Sequence, residues 1–266
     1  MNLSHRTCLL LMAVVGSFAG LPSDADARTL QQVLNSGDIR VGVVIAEPWV
    51  LRAGDGELDG FEIAVARQLA ADLEVEPEFL IYRFDELIPA IESGEIDIII
   101  SGLTITTDRA RHVNFSRPYA TGGIGIATNL RTTAEVTRFE DLSNPDFRIG
   151  IAEDTVAAAL AEAMLPGADI VTFDDALTAA SALVAGDVDV YLDEQPAPTF
   201  LSLEYPGLID IPIARPLLET RSAFAVGKGD GDFLAFLNAW IEAREADTWL
   251  PATHRYWFES LRWRQP

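Results

Sequence analysis

"FDELIPAIESGEIDIIIS" (Phe84–Ser101) and "FDDALTAASALVAGDVDVYLDE" (Phe173–Glu194) follow one plan. Each runs aromatic, acid, acid, a stretch with apolar residues at helical spacing, glycine, acid, and a buried-looking apolar run. A helical period that gives way to a β-rich run marks a helix feeding a strand. Gly94 and Gly186 stand where a helix is closed by a residue in the left-handed conformation. The second helix is three residues longer, so the echo is loose. It predicts two similar lobes in place of one continuous sheet.

The flanking sequence continues the alternation. "IRVGVVI" (39–45), "EFLIYR" (78–83), "FRIGIAE" (147–153) and "DIVTF" (169–173) read as strands, and "FEIAVARQLAADL" (61–73) and "TVAAALAEAM" (155–164) as helices. Such alternation predicts an α/β protein with parallel sheets and helices on both faces. Exposed, glycine- or proline-rich segments mark the passages between lobes: "RPYATGG" (Arg117–Gly123) and "IPIARPLLETR" (Ile211–Arg221). The chain is expected to leave lobe one near Ala120 and return near Arg215. Lobe one is then 28–120 with 215–266, and lobe two is 121–214. The last long helix, Asp232–Ala246, is expected to pack back on lobe one. Two crossings make a hinge, and a hinged pair encloses a cleft.

The N-terminal stretch reads as a secretory leader, residues 1–27. Arg6 supplies its positive charge, Cys8–Leu21 its apolar segment, and Ala25-Asp26-Ala27 its cleavage site. Cys8 is the sole cysteine and precedes the apolar segment, so neither a lipid anchor on it nor a disulfide framework is expected. The formal net charge of −22 disfavours nucleic acid and anionic membrane surfaces as partners. These features predict an exported, soluble, monomeric protein.

The strand "IDIIIS" runs into "SGLTITTDRAR" (Ser101–Arg111). Ligands of α/β sheets sit beyond the carboxyl ends of strands, which puts this loop at the cleft. Gly102 permits close approach to the backbone, Thr104 offers a hydroxyl, and Thr106 or Thr107 can cap a short helix. Arg109 can hold a carboxylate through two parallel hydrogen bonds. The run reads as a carboxylate cradle. At the end of the echoed strand, Asp193 and Glu194 are acids suited to an ammonium, and adjacent strand residues point to opposite faces.

"GFEIAVARQLA", "FDELIPAIESGEIDIIISGLTITTDRARHVNFSRPY" and "AGDVDVYLDEQP" resemble the extracellular solute-binding proteins of family 3, the amino-acid receptors of ABC importers. The resemblance implies a two-lobed type II periplasmic-binding-protein fold with two hinge crossings and the ligand cleft between lobes. It also implies a membrane ABC importer permease as partner. It implies that Ser101, Gly102, Thr104 and Arg109 hold an α-carboxylate and that Phe84 lies against the ligand side chain. The family's ammonium-binding acid aligns with Glu194, with Asp193 one place before it. Thr155 stands where the family has Gly-Thr, with Asp154 in the glycine's place, and it also suits a plain helix cap. Ala46 replaces a stacking aromatic, whereas Trp49 matches a neighbouring one that is structural or turns into the cleft. Ala64 stands where an acid is usual.

No nucleophile elbow, phosphate loop or metal-ligand spacing is present in the sequence, so no catalytic residue, metal or cofactor is expected. A cyclohexadienyl dehydratase on the same fold, using an acid such as Glu194, is the alternative reading. A periplasmic accessory or sensor protein is a third.

Overall fold

The computed structural model describes residues 27–54, 56–259 and 263. The expected leader lies outside them apart from Ala27. In chain order the strands are β1 (Asp38–Val43), β2 (Leu51–Arg52), β3 (Leu58–Asp59), β4 (Glu76–Ile81), β5 (Ile98–Ile99), β6 (Asn114–Phe115), β7 (Ala120–Asn129), β8 (Arg148–Ala152), β9 (Asp169–Phe173), β10 (Val190–Glu194), β11 (Ile209–Asp210), β12 (Leu218–Ser222) and β13 (Ala225–Val226). One sheet is ordered β4-β1-β5-β13-β6 and the other β11-β7-β10-β8-β9, with β12 added on β7. Strands β2 and β3 pair separately.

Parallel pairing holds for β1 with β4 and β5, and for β8 with β9 and β10. The remaining pairs are antiparallel, which the alternation of helix and strand did not predict. β13 runs against β5 and β6, and β7 runs against β10, β11 and β12. Each sheet is therefore a parallel α/β half completed by strands of the crossings.

The echo of the two halves is physical. Asp97 opens the strand after Gly94 and is fully buried; it accepts from the Arg40 backbone N–H at 2.8 Å and from the guanidinium groups of Arg40 and Arg28 at 2.6 Å. Asp189, after Gly186, accepts from the Arg148 backbone N–H at 2.9 Å and from its Nε at 3.2 Å. Arg40 and Arg148 lie on the equivalent strands β1 and β8. Burial works to raise both carboxyl pKa values, but these donors outweigh it and hold both below the ordinary range.

Ala120–Gly123 is expected to be part of an exposed passage between lobes, yet it opens the ten-residue strand β7. A Cβ at Gly122 would strike the Glu194 carboxylate, and one at Gly125 the Gln195 amide. One at Gly123 would meet the Pro216 ring at 2.6 Å and the Leu218 carbonyl at 2.7 Å. The glycines are there so that β12 and the end of β10 can lie flat against β7.

Between β6 and β7 the chain leaves the first sheet; between β12 and β13 it returns across Ala223 and Phe224. The passages are tied together, Tyr119 N–H donating to the Ser222 carbonyl and Ser116 N–H to the Phe224 carbonyl, both at 3.0 Å. Helices Gly231–Ala246 and Trp249–Phe258 pack on the first lobe, burying Phe233, Leu237, Trp240 and Trp257 beside Phe61 and Leu69. The C-terminal tryptophans thus seal that core. Among the described residues no helix is long and apolar enough to cross a membrane.

Gly123→Ala should destabilise the fold by about 1–3 kcal/mol, because the atoms it meets belong to a ring and a backbone. Calorimetry should show a melting point lowered by several degrees, whereas Gly54→Ala, whose added Cβ meets nothing within 4 Å, should leave it unchanged.

Candidate functional site

The carboxyl ends of β1, β5, β8 and β10 converge on a cavity of about 370 Å³ that takes its walls from both lobes. All nine residues singled out in the sequence border it. Trp49, Phe84, Ser101, Gly102, Thr104 and Arg109 come from the first lobe, and Thr155, Asp193 and Glu194 from the second.

Ser101 and Gly102 follow the buried strand β5, and their loop lies alongside β12. Ile105 N–H donates to the Arg221 carbonyl at 3.0 Å, Ala223 N–H to the Leu103 carbonyl at 3.2 Å, and Ser222 Oγ to the Gly102 carbonyl at 3.1 Å. Ser101 Oγ accepts from the Val44 N–H at 2.9 Å, which leaves its own proton to donate. Gly102 adopts φ +60°, and a Cβ there would press on the Trp49 indole at 3.3 Å. Its N–H turns inward to Glu62 Oε1 at 2.8 Å, away from the cavity that the sequence reading gave it. Trp49 is buried against Phe61 and Phe258 and offers the cavity one edge of a core residue.

Arg109 begins a single helical turn, its N–H donating to Thr106 Oγ1 at 3.2 Å. Its guanidinium donates to the Thr104 carbonyl and, across the cleft, to the Asp154 carbonyl, both at 3.1 Å. The group lies 4.9 Å from the centre of the Phe84 ring, within cation–π range. Burial pulls the Arg109 pKa down, and the carboxylates of Asp108, Asp154 and Glu194 oppose that. It remains a cation, held in place by two carbonyls.

Asp154 has φ +57°, the left-handed region that glycine enters freely and aspartate tolerates better than most residues. The position thus keeps a glycine's backbone without the glycine, and its carbonyl reaches Arg109. Thr155 accepts from the Ala158 N–H at 3.1 Å, capping helix Val156–Met164, and borders the cavity as well.

Both Asp193 and Glu194 border the cavity, although strand alternation suggests that only one should; here β10 still pairs with β7, but its pairing with β8 has ended at Tyr191. Asp193 accepts from the Tyr191 hydroxyl at 2.5 Å, and burial raises its pKa. Glu194 accepts from the Thr220 hydroxyl on β12. Burial pushes its carboxyl up to about 7, helped by Asp193 and opposed by Thr220, the Gly123 N–H and Arg109. Two carboxyls thus face one guanidinium across a cavity where charge is poorly hydrated.

Sequence reading missed the rim. Arg83 pairs with Glu153 at 3.0 Å and Asp174 at 3.4 Å, both on the second lobe, and with Asp85 at 3.2 Å. The echoed starts, Phe84-Asp85 and Phe173-Asp174, therefore meet across the cleft, a juxtaposition that the repeat itself could have signalled. Glu62 was missed too; its signal was an acid inside the apolar start of helix Phe61–Leu73. No group of three or more His, Cys, Asp or Glu side chains among the described residues is arranged to hold a metal ion.

The sequence pattern of the bacterial extracellular solute-binding proteins, family 3, matches residues 39–260. The L-cystine-binding protein TcyJ of Escherichia coli K12 is 28% identical over 263 residues, covering 97% of this chain and 98% of that protein. The L-arginine-binding protein of Pseudomonas aeruginosa is 28% identical over 231 residues, covering 79% and 83%. In structure the chain is similar to an ancestral amino acid-binding protein, a precursor of cyclohexadienyl dehydratase. That likeness has a TM-score of 0.78 and 30% identity, and covers 86% of this chain and 99% of the other. The two sheets, the paired crossings and the cavity between lobes form the type II periplasmic-binding architecture. The chain belongs to the bacterial extracellular solute-binding proteins, family 3.

Proposed function

We propose that this chain is a periplasmic receptor, monomeric and freed from its leader after Ala27, that delivers an amino acid with a cationic side chain to an ABC importer in the membrane. The observation that carries the reading is Arg109 facing Glu194 and Asp193 across the cavity: a fixed cation for an α-carboxylate opposite acids for an α-ammonium. Ser101 and Thr104 add hydroxyl donors beside Arg109, and Thr155, whose own hydroxyl donates to the Ala152 carbonyl at 2.8 Å, borders the space from the facing lobe. Phe84 and the edge of Trp49 bound the side-chain space.

The charge of the walls argues for the side chain. Seven carboxylates border the cavity against two guanidinium groups, and both guanidinium groups already have partners. An α-ammonium offsets one carboxylate and leaves the remainder in excess. Ile45, Ile81 and Leu177 border the same space and are solvent-exposed. Aliphatic and acidic residues bordering one space suit a side chain with a methylene stem and a charged head. Relatives whose names specify arginine agree with this choice.

A second reading has one observation behind it. A Glu194 carboxyl with a pKa of about 7 is part-protonated at neutral pH and faces Arg109, which would suit a lyase that protonates a departing hydroxyl while the guanidinium holds a carboxylate. The likeness to a precursor of cyclohexadienyl dehydratase keeps that reading in view.

Thermal shift against arginine, lysine, ornithine, histidine, glutamine, glutamate, cystine and prephenate separates the readings. Cationic amino acids should raise the melting point, and Arg109→Ala should weaken their binding by about 100-fold or more, as expected for loss of a desolvated charge pair. Turnover of prephenate without an amino-acid response would move the protein to the lyase class. A response to glutamate alone would overturn the cationic assignment.

Affinity should depend on pH through Glu194. Below about 7 the carboxyl is neutral and pairs weakly with an ammonium, so calorimetric affinity for a cationic amino acid should rise as pH rises through that value. Glu194→Gln should bind more weakly and lose this limb of the profile.

Arg83→Ala should loosen the rim. At low ionic strength small-angle scattering should give the variant a larger radius of gyration than the parent, and the two should converge in high salt, where exposed pairs are screened. Equal radii in low salt would remove Arg83 from the closing contacts.

A further inference from the structure

Glu62 is fully buried near the start of helix Phe61–Leu73, and among the described residues no cation is bonded to it. Its Oε1 lies 2.8 Å from the Gly102 nitrogen and 2.8 Å from the Tyr119 hydroxyl, and its Oε2 lies 2.9 Å from the same hydroxyl. Gly102 is part of the loop that carries Ser101, Thr104 and Arg109. Tyr119 immediately precedes β7, and its ring stacks at 4.4 Å on Phe224, where the chain makes its return crossing. One carboxyl group therefore touches the ligand loop and, through Tyr119, both crossings.

Proton accounting fixes the state of that group. An ionised carboxylate here would receive Tyr119 O–H and Gly102 N–H, with no counter-charge, in a site closed to water. Burying an unpaired charge costs far more than burying a neutral, hydrogen-bonded group. A protonated carboxyl uses every group present. Its Oε2–H donates to Tyr119 Oη, Tyr119 O–H donates to Oε1, and Gly102 N–H donates to Oε1. The distances allow all three bonds at once.

We propose that Glu62 is a positioning residue that stays a neutral carboxylic acid in the native protein and, by a reciprocal hydrogen bond with Tyr119, locks the ligand loop to the interlobe crossings. The inference rests on the role proposed above for the loop, but its test requires no ligand.

The ionisable groups around Glu62 leave that assignment intact. Tyr119 is bonded to it. His254, on the terminal helix, meets Phe61 edge-on at 5.5 Å, and burial lowers its pKa, so it is neutral. On the other elements packed against this helix, Arg40 is bonded to Asp97 and Asp38 to Arg28. Asp59 accepts from Gly60 N–H, and Glu76, Glu78 and Arg255 face solvent. Burial pushes the Glu62 carboxyl up to about 8, against the hydrogen bonds from Tyr119 and Gly102. The native state then keeps a proton that the unfolded chain, with the ordinary value of 4.5, has lost. The stability this gives is present in full below the lower value and falls as pH rises, until it is gone above the upper one.

Two measurements decide it. The infrared difference between the parent protein and Glu62→Gln at neutral pH should contain the C=O stretch of a protonated carboxylic acid; carboxylate bands in its place would overturn the proposal. With ¹⁵N-glycine label, the Gly102 amide resonance should titrate with a midpoint near 8 in the parent and not in Glu62→Gln. Identical titrations in both would also overturn it. Tyr119→Phe breaks the reciprocal bond by a smaller change, so it keeps the question open to test if Glu62→Gln fails to fold. The C=O stretch and the Gly102 resonance should both move in that variant, and an unmoved Gly102 resonance would remove the locking role.

Discussion

Antiparallel pairing of β7 with β12 sets the geometry of everything else in this protein. Residues 120–124 lie against 218–222, so the two crossings form one short ribbon and not two independent tethers. The loop after β5, from the first lobe, joins that ribbon through Thr104, Leu103 and Ile105, and Thr220 on β12 holds Glu194 of the second lobe. Groups that face each other across the cleft are thus wired to the same hinge. A ligand that bridges Arg109 and Glu194 acts on the element about which the lobes move, so its binding energy shifts the population of closed states directly.

Charge supplies the bias. The cleft gathers acids in a chain already far to the acidic side, with a formal net charge of −22. Burial raises the carboxyl pKa values of Asp193 and Glu194, with Asp193 adding to the rise at Glu194, and a cationic ligand would favour their charged forms. Arg109 is prevented from collapsing onto these acids by the Thr104 and Asp154 carbonyls and by the Phe84 ring. Its charge stays displayed to the cavity. Glu62 resolves the same problem in the opposite way: with no cation bonded to it among the described residues, a buried acid is best kept neutral and used as a hydrogen-bonding joint.

Much of this was legible because it rests on period and chain punctuation. Helix Phe61–Leu73 follows from its apolar spacing and ends where the spacing ends. The echo of Phe84–Ser101 in Phe173–Glu194 forecast twin lobes, and the twin Asp–Arg anchors at Asp97 and Asp189 are its physical content. The candidate site residues share one cavity because strand ends in α/β sheets converge. What stayed hidden depends on contacts distant in sequence. The start of β7, Ala120–Gly123, looked like an exposed passage because the glycines of this strand are explained only by the Glu194, Gln195 and Pro216 side chains that lie over them. Arg83 looked like any surface arginine until the second lobe brought Glu153 and Asp174 to it. The inward turn of the Gly102 N–H required knowing where Glu62 and Tyr119 meet.

The central claim is that a cationic amino acid is held between Arg109 and the acids of β10, with its side chain along the aliphatic wall. A crystal structure of the protein grown with L-arginine tests it most directly. The α-carboxylate should lie on the Arg109 guanidinium, the α-ammonium on Glu194 or Asp193, and the ligand guanidinium toward the acidic rim at Asp85 and Asp174. An empty cleft, or a ligand whose α-carboxylate avoids Arg109, would contradict it.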